Sequence, residues 1–141
     1  MKLLPAEHIF VDADAIIALL RRDDVHHAHA WEIYGELRKE RVRFKTNQIA
    51  LFEAGTVISQ RVGHKAALRL LMDVKEREIF KVIEYSKNTF DVARTLFEKQ
   101  TSKNVSLFDC FHMAFCESQN IRSVFSFDTA YQANGFQLVT K

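Results

Sequence analysis

The chain has 141 residues, 48% of them hydrophobic, with twelve Phe against one Pro and four Gly. That length holds one domain, residues 1–141, with a real core, and the composition speaks against a disordered chain. A net charge of +2 identifies no partner, and every apolar run meets a charge before membrane-spanning length, so no membrane association is expected.

The apolar period alternates between that of a strand and that of a helix. Residues 8–12 read as a short buried strand, and 14–21 as a helix built on Ile16, Ile17, Leu19 and Leu20. Residues 27–40 form an amphipathic helix on Ala30, Ile33, Tyr34 and Leu37, and 42–46 alternate like a half-exposed strand. Asn47 can cap a helix over 48–62 that ends at Gly63. A helix over 64–77, a strand at 80–83 and helices over 88–100 and 106–119 follow. The chain closes on a strand at 123–127, a short helix from Thr129 and a strand at 136–139. Strands separated by helices predict an α/β fold: an α/β/α sandwich with a mostly parallel central sheet of about five strands.

Against this frame, four acidic residues stand out in apolar segments. Asp12 follows His8-Ile9-Phe10-Val11, Glu53 lies within Ile49-Ala50-Leu51-Phe52-Glu53-Ala54, Asp109 within Leu107-Phe108-Asp109-Cys110-Phe111, and Asp128 follows Ser123-Val124-Phe125-Ser126-Phe127. Carboxylates are rarely buried unless paired or bound to metal. Clustered anions raise one another's pKa unless a cation neutralises them, and the hard cation that suits an all-oxygen site is Mg²⁺ or Mn²⁺. In an open parallel sheet, ligands bind at the carboxyl ends of the strands, where Asp12 and Asp128 fall.

Each candidate has a purely structural alternative. Asp12 and Asp128 can serve as helix caps, and Asp14 as a first-turn residue favoured by the helix dipole. Glu53 shares a stripe with Thr56 and Gln60 that could be a narrow solvated face. Ser106-Leu107-Phe108-Asp109 fits a capping box, which also sets Asp109 at the positive end of a helix. His112 reads as a core or surface histidine, with a supporting contact to the acids as the alternative. His26, His27 and His29 read as a solvated face rather than a zinc cluster. Cys110 and Cys116, about 240° apart around one helix, read as buried free thiols. Those thiols and the polar Met1-Lys2-Leu3-Leu4-Pro5-Ala6-Glu7-His8 start, unlike a signal peptide, place the expected location in the cytoplasm. Arg38, Lys39, Arg41, Arg43 and Lys45, opposed only by Glu40, either attract a polyanion or form a solvated helix end and edge strand.

Taken together, four segments resemble the PIN domain, a metal-dependent ribonuclease fold, in its VapC-type toxin branch. They are Phe10 to Leu20 around Asp12, Thr46 to Glu53, Ser106 to Phe111, and Ile121 to Tyr131 continuing through Asn134-Gly135-Phe136-Gln137-Leu138. The pieces are weak singly; their order, spacing and placement carry the resemblance, which spans nearly the whole chain. Departures are Ala13 where the family often has Thr, Asp14 where it often has Ser or Asn, and Asn47 where it often has Ser.

The resemblance implies that Asp12, Glu53, Asp109 and Asp128 hold one or two Mg²⁺ or Mn²⁺ ions that activate a water against an RNA phosphodiester. Asn47, Ser106 and Asp14 would orient the ligands, and Arg and Lys at the groove edge would hold the RNA backbone. It also implies a homodimer and a small antitoxin partner. The alternatives are a housekeeping RNA-processing nuclease of the same fold and a catalytically silent RNA- or protein-binding module. A haloacid-dehalogenase-type phosphatase would use Asp12-Ala13-Asp14, but would leave Glu53 and Asp109 unexplained.

Overall fold

Five short strands and seven helices follow one another along residues 7–141, the part of the chain described by the computed structural model. Residues 1–6, most of the segment judged too polar for a leader, lie outside the described residues. The strands are β1 (His8–Val11), β2 (Arg43–Thr46), β3 (Lys81–Val82), β4 (Ser123–Phe125) and β5 (Gln137–Leu138). They pair in the order β3-β2-β1-β4-β5, every neighbouring pair parallel. Parallel pairing requires crossovers, and helices supply them.

On one face lie α1 (Ala13–Leu20), α2 (His27–Lys39), α3 (Gln48–Arg61) and α4 (His64–Arg77). Their buried residues, among them Ile16, Ile33, Leu51 and Leu70, pack with Ile9, Val11, Phe44 and Phe125 of the sheet. The other face carries α5 (Thr89–Lys99), α6 (Leu107–Ser118) and α7 (Ala130–Ala133). There Ala93, Met113, Phe115 and Tyr131 pack with Phe10, Val124 and Leu138. Strand alternation explains the division, since successive side chains point to opposite faces. Central β1 is therefore apolar on both sides, and the expected sandwich is observed with a wholly parallel sheet.

β1 has β2 on one side and β4 on the other, so the chain reverses its order beside the end of β1. That opening is the switch point where open α/β sheets bind ligands. Asp12 stands there, its N–H donating to the Phe125 carbonyl at 3.1 Å.

Four strands end earlier than the periodicity suggests, and the endings of β1 and β4 build the site. The segment 8–12 stops at Val11 because Asp12 becomes the N-cap of α1. The segment 123–127 stops at Phe125 because Ser126 Oγ and the Phe127 N–H turn to donate to Asp14 Oδ2, at 3.0 and 2.7 Å. Between α3 and α4, Gly63 adopts φ 149°, a conformation that side chains disfavour, and its N–H closes on the Ile58 carbonyl at 2.9 Å. Cys110 and Cys116 are buried free thiols. His27 Nδ1 lies 2.7 Å from the Ala18 carbonyl, while His26 stacks on Phe127 with ring centres 4.1 Å apart. No potential metal group among the described residues includes these histidines. Among the described residues, no helix is long and apolar enough to cross a membrane.

Candidate metal centre

Asp12 is buried, and two donors fix its carboxylate. The Ala13 N–H reaches Oδ1 at 2.7 Å, and the Tyr131 hydroxyl donates to Oδ2. Tyr131 is itself fully buried, and burial followed by the charge of Asp12 pushes its pKa well up, so it stays a donor. It arrives on α7, whose first turn Asp128 organises by accepting from the Ala130 N–H at 2.9 Å. The N-cap of α7 is Thr129, so Asp128 stands one residue before the position expected for a cap and instead shapes the turn that brings Tyr131 to Asp12.

Glu53 comes from α3 and is half-buried, so the stripe it shares with Thr56 and Gln60 is not fully solvated at its first member. Its Oε1 lies 3.0 Å from His112 Nε2, and Asp12 Oδ1 lies 3.5 Å from the same nitrogen. Ligand atoms of Asp12, Glu53 and His112 all fall within 4.8 Å of one another. His112 is thus the hinge of the cluster. The sequence offers one hint of this, its position one helical turn after Asp109.

Asn47 decides what His112 does. Its Oδ1 accepts from the Ala50 N–H at 2.9 Å as the N-cap of α3, which leaves its amide Nδ2 facing His112 Nδ1 at 3.2 Å. An amide nitrogen only donates, so Nδ1 accepts and the ring proton sits on Nε2, directed at Glu53. Burial alone would lower the His112 pKa, but Asp12, Glu53 and Asp109 together raise it above its ordinary value. The Asn47 amide opposes that rise, because a second ring proton on Nδ1 would point at another donor. His112 therefore acts as a hydrogen-bond donor to the carboxylates, and the atoms left to bind a cation are oxygens.

Asp109 sits in the capping box read from the sequence. The Ser106 N–H donates to Asp109 Oδ2 at 2.9 Å, and the Asp109 N–H donates to Ser106 Oγ at 3.0 Å. Oδ1 makes no hydrogen bond within the described residues. Burial chiefly, with the charges of Asp128 and Asp12, raises the Asp109 pKa, while the Ser106 donors pull it down. Asp109 therefore feels the charges of Asp128 and Asp12, but neither Asp109 nor Asp128 belongs to the group of ligand atoms within 4.8 Å of one another, which is Asp12, Glu53 and His112.

Asp14 has a different place. Its oxygens accept from the Ala15 N–H at 2.9 Å and from Ser126 and Phe127, tying α1 to the end of β4. Burial, and then the charge of Asp12, raises its pKa to about 7. Three donors occupy the second carboxylate that a phosphatase of the Asp-x-Asp type would need free. Tyr131 is the residue the sequence does not single out; it stands only as the end of the last motif, three residues after Asp128.

None of the ion pairs among the described residues joins Asp12, Glu53, Asp109 or Asp128 to a Lys or Arg. Backbone amides, a phenol and an imidazole hold these anions in place, and no Lys or Arg among the described residues pairs with them. An oxygen-rich, uncompensated cluster of this kind fits a hard divalent ion such as Mg²⁺ or Mn²⁺.

Comparison with known proteins agrees with the topology. The PIN domain profile matches residues 9–137. Among solved structures, VapC20 of Mycobacterium tuberculosis, described as a sarcin-ricin loop cleaving toxin, aligns with a TM-score of 0.80 at 22% identity, covering 91% of this chain and 95% of that one. FitAcB from Neisseria gonorrhoeae aligns with a TM-score of 0.68 at 15% identity, covering 92% and 95%. At such identities the likeness is one of fold. No curated protein matches the sequence at a significant level. With the profile spanning both halves of the sheet and all four acids, the chain belongs to the PIN domain family.

Proposed function

We propose that this protein is a metal-dependent ribonuclease and the toxin of a VapBC-type toxin–antitoxin pair. The observation that carries the reading is the unneutralised carboxylate cluster at the switch point of a PIN sheet. Family membership supports the nuclease class, and the fold shared with VapC20 supports the toxin assignment.

Asp12, Glu53, Asp109 and Asp128 would hold one or two Mg²⁺ or Mn²⁺ ions. A divalent ion bound there supplies charge for the scissile phosphate and a lowered pKa for the attacking water. The chain's own residues set the geometry. Ala13 and Tyr131 fix the two oxygens of Asp12, His112 holds Glu53 beside Asp12, Asn47 fixes the tautomer of His112, and Ser106 orients Asp109. No side chain is required as a nucleophile. The substrate is RNA in single strands or loops, where exposed bases can be read.

The test is cleavage of a single-stranded RNA oligonucleotide by purified protein. Mg²⁺ or Mn²⁺ should support cutting and excess EDTA should abolish it. Asp12→Asn should fold and fail to cut, since it keeps the side-chain shape and removes a ligand charge. Full activity of that variant, or metal-independent cutting, would end the reading. The toxin assignment adds a homodimer in the cytoplasm, held silent by a small antitoxin. Co-expression with a protein encoded immediately upstream should give a stable complex that does not cut RNA.

A further inference from the structure

The basic run of residues 38–45 divides in the fold. Arg38 and Lys39 end α2, the first over the Tyr34 ring at 5.8 Å and the second paired with Glu36 at 3.4 Å. Arg41 lies in the turn at φ 58°. Arg43 and Lys45 enter β2 two residues apart and so share one sheet face. The register sets His8 beside Arg43, Phe10 beside Lys45, and Lys45 beside Lys81. His8, Arg43, Lys45 and Lys81 therefore form one patch on the face that carries Phe10.

That face is only partly covered. The residues of α6 and α7 pack over Phe10, Val124 and Leu138, but Arg43 and Lys81 remain exposed and Lys45 is half-buried. No carboxylate among the described residues forms an ion pair with any of the three. The cations act on one another instead. Burial, then Lys81 and Arg43, lower the Lys45 pKa, and burial, then Lys45, Arg43 and Lys81, lower that of His8. Their mutual repulsion is unrelieved in the free protein.

The patch adjoins the acidic cluster. The Phe10 ring lies 5.1 Å from the His112 ring, and Lys45 is the strand neighbour of Phe10. Along β2, Lys45 stands two residues before Asn47, roughly 7 Å at the rise of an extended strand. A polyanion approaching four carboxylates is repelled, and adjacent cations without partners offset that repulsion where it matters.

We propose that Arg43, Lys45 and Lys81, flanked by His8, form a track on the open sheet face that binds the backbone phosphates of single-stranded RNA beside the cleaved bond. The track rests on the ribonuclease reading and names where its substrate lies. Phosphate contacts carry no sequence preference and release counterions, so their signature is salt dependence.

The experiment measures fluorescence anisotropy of a labelled single-stranded RNA with Mg²⁺, across 50–200 mM salt. Asp109→Asn serves as the parent, to prevent cutting. Adding Arg43→Gln, Lys45→Gln and Lys81→Gln should weaken binding at least tenfold at low salt. It should also flatten the logarithmic salt slope by about 2, at roughly 0.7 per phosphate contact on a single strand. Arg43→Gln with Lys81→Gln, which spares the half-buried Lys45, should flatten it by about 1.4 and guards against a folding defect. Arg38→Gln, Lys39→Gln and Arg41→Gln remove the same charge elsewhere and should change affinity less than twofold. Equal effects of the two triple variants, or weaker binding at an unchanged slope, would overturn the track while leaving the ribonuclease reading intact. If the parent binds duplex DNA more tightly than RNA, the track belongs to a different ligand and the proposal fails. A parent that binds no RNA, with a wild type that cuts none, would bring down both.

Discussion

Tyr131→Phe isolates one hydrogen bond at the centre of the cluster. The ring can remain in place, fully buried and edge-on to Phe136 with centroids 6.2 Å apart, while Asp12 Oδ2 loses its donor. A hydrogen bond to a charged group contributes about 1.5–3 kcal/mol, and a buried carboxylate oxygen left without a partner places the loss near the upper end. The same deletion frees the Asp12 carboxylate to rotate and makes its charge harder to maintain. Residues that orient a metal ligand typically change metal affinity by about 10–100-fold. Two assays read these effects separately: urea unfolding in EDTA, for stability without metal, and the Mg²⁺ concentration that gives half-maximal RNA cleavage. Loss of stability with a right-shifted Mg²⁺ midpoint is the expected pair. A stability change below about 0.5 kcal/mol with an unmoved midpoint would place the hydroxyl outside the site's support and refute the reasoning.

Asp109→Asn keeps an oxygen for the Ser106 N–H, so melting should shift little while cleavage is lost; Asp109→Ala should also cost about 0.5–2 kcal/mol through the missing cap, and full turnover in either would remove Asp109 from the ligands. Asn47→Ser retains a cap but leaves His112 Nδ1 unpartnered, which should destabilise by about 1–3 kcal/mol in urea unfolding; no change would mean that the amide does not hold the ring. For Asp14, a folded pKa of about 7 against an ordinary 3.8 means that the folded chain retains a proton the unfolded chain has lost between those values. Its contribution is full below pH 4 and lost as pH rises towards 7, at up to about 1.4 kcal/mol per pH unit. Urea midpoints of the metal-free protein should therefore fall over that window, and Asp14→Asn should flatten the fall; an unchanged slope would contradict it.

The alternation of periods was enough to mark all twelve elements, because β1 alternates Ile9 and Val11 against Phe10 and each long helix repeats its apolar stripe. Local chemistry was legible as well: Asn47 as a cap and Ser106 with Asp109 as a box are short-range patterns. What escaped was contact across the chain. Tyr131 reaches Asp12 over 119 residues of sequence, and nothing in its neighbourhood distinguishes it from a core aromatic. His112 showed only its turn spacing from Asp109, whereas its place depends on Asn47 and Glu53 arriving on another helix. The basic run misled in a further way, since adjacency in sequence grouped Arg38 and Lys39 with Arg43 and Lys45. The strand register regroups the last two with His8 and Lys81, which lie on neighbouring strands far away in sequence.

Capping and metal binding look like competing explanations for these acids until the oxygens are followed one at a time. Asp12 spends Oδ1 on the Ala13 N–H, Asp109 spends Oδ2 on the Ser106 N–H, and Asp128 spends Oδ1 on the Ala130 N–H. At Asp109 this leaves Oδ1 without a hydrogen bond among the described residues, while at Asp12 the Tyr131 hydroxyl holds the second oxygen. The first turns of α1 and α6 also place their positive ends beside Asp12 and Asp109, which lowers the cost of keeping those charges without a basic side chain. Helix termini can hold the anions apart in fixed positions, but partial charges of about half a unit cannot neutralise four carboxylates. Under the proposed function a divalent cation would supply the remainder, so the local rules that start these helices would also prepare the site for metal.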